Sequence, residues 1–192
     1  MTRPIKLYWS SGLKNGKKNF GDWLSPILCE AVSGRKVVYA KHQHCDLVAV
    51  GSILQRLKNH FWTHRVHVWG SGLIEAVEPF KTRHHIHAVR GQLTAQTLLN
   101  HGNIPALGDP GLLSDMLLPS RVHEKLYRVG LIPHYKDQRS TVVAEFAKQP
   151  GVTVIDIFSE TNAFIEKTNQ CDYILSSSLH GLIVADALKI PN

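Results

Sequence analysis

The sequence has no long apolar run and no leader-like beginning. No window of the 192-residue chain reaches the roughly 18 apolar residues that a membrane-spanning helix needs. The first residues, MTRPIKLYWSS, hold one short apolar patch without the successive basic, apolar and small-residue regions of a signal peptide, and they predict a first strand instead. These absences predict a cytoplasmic protein.

Cysteine is scarce in this chain. The three cysteines, Cys29, Cys45 and Cys171, are odd in number, lie far apart and form no CxxC pair. That pattern favours reduced, buried thiols over disulfides or a zinc knuckle. Reduced thiols agree with the predicted cytoplasmic location, because cysteines stay reduced in the cytoplasm.

Acidic residues are outnumbered by basic ones. The chain has 15 Asp and Glu against 22 Lys and Arg, a net charge of +7 before any of its 12 histidines is protonated. This excess predicts an anionic partner, such as a phosphorylated metabolite or an acidic membrane surface. Nucleic acid is not predicted, because the charge is scattered and no zinc-finger spacing or Gly-aromatic RNA-binding signature is present. A hydrophobic fraction of 43% with 19% charged residues is typical of a folded globular protein.

Apolar runs of strand length alternate with segments of helical period, and this pattern predicts parallel sheets covered by helices. Asp22 and Gly34 are expected to begin and end a first helix, and Gly102 to close a second one. In this first part of the chain, the predicted strands are 5–9, 36–40, 46–51, 66–69, 86–89 and a short one at 104–107, and the predicted helices are 23–33 and 92–100.

The pattern restarts after GDPG at 108–111 and a polar stretch with a predicted linker near Pro119. We therefore expect two domains, residues 1–118 and 126–192. The second sheet has only three predicted strands. The last helix should lead into a fourth strand, which residues 190–192 barely begin. We therefore expect either that the chain is truncated or that another chain covers the exposed sheet edge. The predicted strands here are 128–132, 152–157 and 171–177, and the predicted helices are 139–149 and 160–169.

Loops that follow strands carry the candidate chemistry, because ligands of open parallel sheets bind beyond the carboxyl ends of the strands. The loop SSGLKNGKKNFGD, residues 10–22, combines glycines with Lys14, Lys17 and Lys18 just before a helix N-terminus. Free backbone amides and lysines suit an anion, and a solvated loop explains the same residues equally well.

A glycine pair lies in VWGSGLIE, residues 68–75. Gly70 and Gly72 permit close approach of the backbone to a ligand. The third glycine of a dinucleotide fingerprint is absent, so a tight turn from a strand to a helix is the favoured interpretation.

Arg90 ends a predicted strand and is followed by Gly91 and the start of a helix. This arrangement aims a fixed positive charge and helix amides at one point. Because an arginine is costly to bury without an anion, a carboxylate or phosphate ligand is favoured over the alternative, a structural salt bridge.

His180 lies at a helix N-terminus in ILSSSLHGLIVADALKIPN, residues 174–192, directly after three serines. The position disfavours the imidazolium ion unless an anionic ligand reverses the effect. A histidine whose protonation responds to bound substrate suits a general acid. Considered alone, a capping or core histidine is the favoured interpretation.

Two histidine-rich segments, residues 42–46 and 84–87, contain metal-ligand residue types. Neither has the i, i+4 histidine pair of a metalloprotease helix, and adjacent residues on a strand point to opposite faces. No metal is predicted.

Five motifs, taken in order, resemble the polysaccharide pyruvyl transferase family. No single string is specific, but their order and spacing match over nearly the whole chain. The resemblance implies an α/β fold of two Rossmann-like domains facing across a cleft, as in GT-B glycosyltransferases, with the second domain truncated at its C-terminus. The motifs are NFGDWLSP (19–26), VWGSGL (68–73), VRGQLTAQTL (89–98), LGDPGLL (107–113) and SSSLHGLIVADALKIP (176–191).

The resemblance also implies an activity. Members transfer the pyruvate unit of phosphoenolpyruvate to a sugar of an exopolysaccharide repeat unit and so form a pyruvate ketal, with phosphoenolpyruvate as donor substrate and no cofactor. The acceptor is expected to be a lipid-linked oligosaccharide or polysaccharide at the inner face of the cytoplasmic membrane, with peripheral contact to anionic lipid. Homo-oligomerisation stays open.

Site residues follow from the same resemblance. His180 matches the acid that protonates the methylene carbon of phosphoenolpyruvate, so that positive charge develops at the next carbon, where the sugar hydroxyl attacks. Arg90 matches a donor anchor, and Asp22, at the end of the 10–22 loop, is a candidate for holding or deprotonating the acceptor hydroxyl. The candidate substrate-binding residues are Asn19, Gly21, Lys17, Lys18, Gly70, Ser71, Gly72, Ser177, Ser178, Leu179 and Gly181.

One position departs from the family pattern. Many members carry a donor-binding arginine directly before the Leu-His pair, where this chain has Ser178. We expect Arg83, Lys17 or Lys18 to supply the cation, or donor binding to be weakened. The alternatives are a GT-B-type glycosyltransferase, against which the lack of a nucleotide-reading acidic residue counts, and a truncated, non-catalytic module that binds anionic glycans or membrane.

Overall fold

The computed structural model describes residues 3–14, 16–100, 102, 104, 106–119 and 124–192. They form an α/β fold with two parallel sheets, which confirms the predicted class. Two compact units are present: residues up to Ser10 with Ser25–Pro110, and Ser11–Leu24 with Gly111–Asn192. The predicted domain boundaries stay a prediction, and residues 120–123, after the predicted linker position, lie outside the described residues.

The sheet of the first unit has five parallel strands in the order β2-β1-β3-β4-β5. Parallel pairing places the carboxyl ends of all five strands at the same edge, where the loops of candidate chemistry follow. The strands are β1 (Ile5–Tyr8), β2 (Val37–Tyr39), β3 (Leu47–Val48), β4 (His67–Trp69) and β5 (His85–Ala88), each at a predicted position. Residue 105 of the predicted strand 104–107 is not described, and Leu107 forms an isolated bridge to Val89.

Alternation along the strands divides the first sheet into two faces. One face carries Val48, Val68 and Ile86 into an apolar core that also includes Ile53 and Leu54. This core holds the strands in register and so fixes the positions of the loops at their ends. The other face lies against the helix α1 (Phe20–Ser33) and the cavity beside it.

The sheet of the second unit has three parallel strands in the order β7-β6-β8. Its largest fully buried side chains include Phe164 and Phe20, whose rings stack with their centroids 3.8 Å apart. Phe20, although close to β1 in sequence, therefore belongs to the second core. The elements are β6 (Tyr127–Ile132), α3 (Thr141–Phe146), β7 (Val152–Val154), α4 (Thr161–Asn169), β8 (Cys171–Ser176) and α5 (Leu179–Ala187).

Three details of the helices differ from the sequence prediction. The helix α1 begins at Phe20, and the side chain of Asn19 accepts a hydrogen bond from the Gly21 N–H, so Asn19 and not Asp22 is the cap. The predicted helix after Gly72 does not form; residues 73–84 contain no helix. The helix α2 (Gln92–Gln96) ends early because the backbone of residues 97–99 pairs with Phe80 instead.

Other local predictions are confirmed. Gly34 ends α1 with a φ of 63°, a left-handed conformation that favours glycine. The three cysteines are free and buried, and burial raises the pKa of the Cys29 thiol to about 12. Among the described residues, no helix is long and apolar enough to cross a membrane.

Candidate functional site

Serine hydroxyls shape the turn from β8 to α5. The Ser176 hydroxyl accepts a hydrogen bond from the Ser178 N–H at 3.0 Å. The same hydroxyl lies 3.0 Å from the Ile132 carbonyl and 2.9 Å from the Ser178 carbonyl, either of which can accept its proton. Position 176, where the strand ends, therefore needs a small side chain that can both donate and accept a hydrogen bond.

Ser177 connects this turn to the loop that follows β6. Its hydroxyl accepts the His134 N–H at 2.9 Å and donates to Asp137 Oδ2 at 2.6 Å. Ser178 is buried and is the N-cap of α5, with its carbonyl accepting the Leu182 N–H at 3.2 Å. The serine run thus fixes the first turn of the helix that carries His180.

Gly181 is required by close packing. A Cβ at this position would lie 2.4 Å from Ser176 Oγ and 2.9 Å from Ile132 Cγ2. Real Cβ atoms do not approach other atoms so closely, so any larger residue here would force Ser176 or Ile132 to move. We call residues 176–181 the His180 turn.

The His180 ring lies against the first turn of α1, within the second unit. A Cβ on Gly21 would lie 2.5 Å from His180 Nδ1 and 2.7 Å from its Cγ. Asn19 caps this turn, and the Phe20 N–H donates to the Ile157 carbonyl at 2.9 Å, which ties the helix start to the second sheet. The imidazole is therefore held against backbone, where only glycine leaves room for it.

Replacing Gly21 with alanine is expected to displace the His180 ring. Within a helix, alanine normally raises the free energy of unfolding by about 1 kcal/mol relative to glycine, but overpacking lowers it by roughly 1–3 kcal/mol. We expect Gly21→Ala to lower the free energy of unfolding and to move the imidazole resonances of His180 in an NMR spectrum. Gly12→Ala is the matched control, because no atom lies within 4 Å of a Cβ there. Unchanged His180 resonances in Gly21→Ala would contradict this packing.

Three lysines of the 10–22 loop lie over aromatic rings of the same unit. Lys14 and Lys17 form an antiparallel bridge with mutual backbone hydrogen bonds of 2.8 and 2.9 Å, and Gly16 in the turn between them has a φ of 74°. The ammonium groups of Lys14, Lys17 and Lys18 lie 5.8, 5.6 and 4.1 Å from the ring centres of Tyr135, Phe158 and Trp23. Such cation–π contacts orient the lysines, so this loop is not merely solvated.

Asp22 lies half-buried in the first turn of α1. A carboxylate is favourable there because the helix N-terminus carries partial positive charge. Asp22 and His180 thus belong to the same unit, with the His180 ring against the residue preceding Asp22.

Arg90 is the centre of a second cluster, in the first unit. Its Nη2 donates to Ser52 Oγ at 2.6 Å and to the Leu73 carbonyl at 3.1 Å, and its Nη1 lies 3.9 Å from Asp109 Oδ2. The Asp109 side chain is 2% exposed. Burial lowers the pKa of Arg90, and the charge of Asp109 acts in the opposite direction. This is the arrangement expected of a structural ion pair.

The glycines after β4 make room for the Arg90 cluster. A Cβ on Gly72 would lie 2.3 Å from Arg90 Nη2, so the guanidinium covers this glycine. Gly70 has a φ of 80°, and a Cβ there would lie 2.3 Å from Pro110 Cδ. Between them, buried Ser71 donates to the Gly51 carbonyl at 2.8 Å. The polar and glycine residues of this loop are thus used in packing against neighbouring loops at the carboxyl edge.

The candidate residues divide between the two units. The second unit brings together the His180 turn, the start of α1 and the lysine loop; the first brings together the loops around Arg90. In the second unit are His180, Asp22, Asn19, Gly21, Lys17, Lys18, Ser177, Ser178, Leu179 and Gly181, and in the first are Arg90, Gly70, Ser71 and Gly72.

Sequence reasoning missed four contributors to these clusters. Asp109 stands in the quoted motif LGDPGLL and was assigned no role, although a buried arginine needs such a partner. Ser176 stands in the serine run before His180 and was likewise assigned no role, whereas Ser52 and Asp137 gave no recognisable signal, because their roles depend on which loops meet in the fold. Within the described residues, no group of three or more His, Cys, Asp or Glu side chains is placed to hold a metal ion.

A family model described as "Polysaccharide pyruvyl transferase" matches residues 3–192. The succinoglycan biosynthesis protein ExoV of Rhizobium meliloti (strain 1021) is 32% identical over 193 residues, covering 96% of this chain and 57% of that protein. Uncharacterized protein L143 of Acanthamoeba polyphaga mimivirus is 32% identical over 188 residues, covering 90% of this chain and 62% of that protein. The chain thus spans less than two thirds of the length of either relative. No solved structure shows a significant match.

Proposed function

Because the chain belongs to the polysaccharide pyruvyl transferase family, as its five motifs predicted, we propose that it transfers pyruvate from phosphoenolpyruvate to a polysaccharide sugar as a ketal. The observation that carries the proposal is the family match over residues 3–192, which include every segment around His180. The similarity to a protein of succinoglycan biosynthesis supports an exopolysaccharide acceptor.

In this proposal His180 is the general acid. An imidazolium proton goes to the methylene carbon of phosphoenolpyruvate, and positive charge develops at the neighbouring carbon that bears the phosphate. One sugar hydroxyl adds to that carbon, and a second displaces phosphate to close the ketal. Of the two hydroxyl protons, one replaces the proton that His180 gave and the other leaves with phosphate. Packing against Gly21 supports this role, because it restricts the direction in which the ring can deliver its proton.

Lys17 and Lys18 are the proposed replacements for the arginine that many family members have at the position of Ser178. Phosphoenolpyruvate is a small, highly charged anion and requires fixed cations. Both lysines belong to the unit of His180, whereas Arg83 belongs to the other unit and donates to the His60 carbonyl at 3.2 Å. The lysines are therefore the better candidates, together with the N-terminus of α5.

Asp22 is the proposed group that holds or deprotonates the acceptor hydroxyl. Asp22 is half-buried and lies near His180 in the fold. A base that acts on the same reacting centre as the acid is expected at such a position. Arg90 was predicted to anchor the donor; its ion pair with Asp109 gives it a structural role whether or not it also contacts substrate. We also propose that the acceptor is lipid-linked and lies at the inner membrane face.

The test is an assay of the chain with phosphoenolpyruvate and an exopolysaccharide repeat unit as acceptor. We expect phosphate release that requires both substrates and a new ketal methyl signal in the product NMR spectrum. Sugar transfer from a nucleotide sugar in the same mixture would point to a glycosyltransferase instead. Glycan binding without phosphate release would point to a non-catalytic binding module, and either result would overturn the proposal.

A further inference from the structure

Two exposed aromatic residues form the tip of a turn before β4. The Thr63 N–H donates to the His60 carbonyl at 3.0 Å, so Phe61 and Trp62 are the central residues of this turn. Their exposed fractions are 78% and 69%, among the highest of the large hydrophobic side chains in the described residues. Turn centres are normally Gly, Pro, Asn, Asp or Ser, so two bulky aromatic residues here need an explanation other than turn chemistry. We call Phe61 and Trp62 the aromatic tip.

The turn beneath the aromatic tip is held by side chains on both sides. Thr63 Oγ1 donates to the carbonyl of Lys58 or His60, at 3.0 and 2.6 Å. Arg83 Nη1 donates to the His60 carbonyl at 3.2 Å, and Asn59 Oδ1 accepts the Arg83 N–H at 2.9 Å. The loop is thus built to present the aromatic tip outwards, since its own polar groups are bonded beneath it.

The rings of the tip are ordered against each other and against a histidine. Trp62 stacks on His60 with ring centres 5.0 Å apart, and Phe61 meets Trp62 edge to face at 4.5 Å. Neither ring is buried by these contacts. The result is a small apolar projection with an indole at its side.

The surroundings of the aromatic tip are basic. Between Asp46 and Glu75 the sequence has no acidic residue, and Lys58 and Arg65 lie within three residues of the aromatic tip on either side. Arg83, which holds the turn, adds another cation. An apolar tip with cations beside it suits a lipid bilayer with an apolar interior and negatively charged headgroups.

A basic cavity lies next to the turn, at the amino ends of the strands of the first sheet. Its volume is about 530 Å³, enough for a phosphate group with its substituents. Asp46 is the acidic residue that lines it, 3.7 Å from His64 Nε2. The basic residues that line it are Arg3, Arg35, Arg65, His64, His67 and His85. We call this cavity the basic pocket; His64 and Arg65 join it to the aromatic tip in sequence.

We propose that the aromatic tip and the basic pocket form a docking surface for an anionic lipid bilayer. Phe61 and Trp62 enter the headgroup layer, where indole and phenyl rings are favourable, and the basic pocket takes an acidic headgroup. The surface is at the amino ends of the strands, opposite to the edge that carries the Arg90 cluster in this unit. The proposal concerns a different site from pyruvyl transfer, and its test measures binding alone.

A bilayer fits these features better than a protein partner does. Two rings cover too little area for a stable protein interface, which needs roughly 800 Å² per partner. Membrane attachment through a few aromatic residues needs added electrostatic attraction, and each Lys or Arg near an acidic surface supplies it. The aromatic tip and the surrounding cations together satisfy both requirements.

The test is co-sedimentation of the chain with vesicles of phosphatidylcholine alone or of phosphatidylcholine with phosphatidylglycerol. We expect binding to the anionic vesicles and little to the neutral ones. The double variant Phe61→Ser/Trp62→Ser is expected to weaken binding to the anionic vesicles by about tenfold or more. The double variant Lys58→Gln/Arg65→Gln is expected to weaken the same binding by roughly thirtyfold, about fivefold for each cation removed.

Two matched controls belong to the second unit. Val142→Ser removes a side chain that is 71% exposed, and Arg139→Gln/Lys148→Gln makes the same change in charge as the basic variant. Both should bind anionic vesicles as the unchanged chain does, within about twofold. Equal binding to neutral and anionic vesicles, or full displacement of the chain by soluble glycerol phosphate, would overturn the proposal.

Trp62 also offers a spectroscopic readout. Trp9 is buried and Trp23 and Trp69 are half-buried, so brominated acyl chains should quench Trp62 selectively. We expect quenching in anionic brominated vesicles, and its loss in Trp62→Phe although that variant still binds. Vesicle binding without quenching, or self-association that Phe61→Ser/Trp62→Ser abolishes, would show that the aromatic tip contacts something other than lipid.

Discussion

Replacing His180 with glutamine is expected to reduce phosphate release from phosphoenolpyruvate by about 10²–10⁴-fold, the usual contribution of a positioned general acid. Glutamine keeps much of the size and polarity of the side chain but has no proton to give at neutral pH. Because His180 is half-buried at the start of α5 and is not part of the apolar core, we expect the free energy of unfolding to change little. The measurement is phosphate release under saturating donor and acceptor, with urea unfolding of the same sample.

The control for this variant is His44→Gln, the same substitution at an exposed histidine of the first unit. It should leave phosphate release unchanged. If His180→Gln releases phosphate as fast as the unchanged chain, His180 is not the acid. Gly21→Ala gives an independent check, because it keeps the imidazole but displaces it, and a shift of about 1 Å can cost on the order of 10²-fold in rate.

Replacing Arg90 with methionine is expected to destabilise the first unit by about 3–5 kcal/mol, the range seen when one partner of a buried ion pair is removed. The Asp109 side chain is 2% exposed and would lose its cation, while Ser52 and the Leu73 carbonyl would lose a donor. The measurement is the midpoint and slope of the urea unfolding transition. Arg139→Met, at an exposed arginine, should stay within about 0.5 kcal/mol.

A double-mutant cycle assigns this loss to the ion pair. Arg90→Met/Asp109→Leu removes both charges, so it should be more stable than the sum of the two single effects predicts, with a coupling of about 0.5–3 kcal/mol. The same variants decide between the two roles of Arg90. A stable Arg90→Met chain that no longer binds phosphoenolpyruvate would show a donor anchor and would contradict the structural role argued from the geometry.

Local features of the fold followed from the sequence because their causes are local. Apolar runs of four or five residues predicted the strands, and Gly34 predicted the end of α1, since each depends on the residues within one element. The start of α1 did not follow, because Asn19 and Asp22 are both good caps in sequence, and the Phe20 N–H at the helix start is bonded to the distant Ile157 carbonyl. The end of α2 was also decided by a contact outside the helix, the pairing of residues 97–99 with Phe80.

The sequence by itself determined the α/β class, the positions of the strands and, through five motifs in order, the family. Only the tertiary structure decided that residues 11–24 join the second unit, that the His180 ring needs a glycine beside it, and that Arg90 pairs with Asp109. Strand patterns and motifs depend on neighbours along the chain, whereas these contacts join residues far apart in sequence. Their energies come from burial and close approach, which exist only after the loops have met.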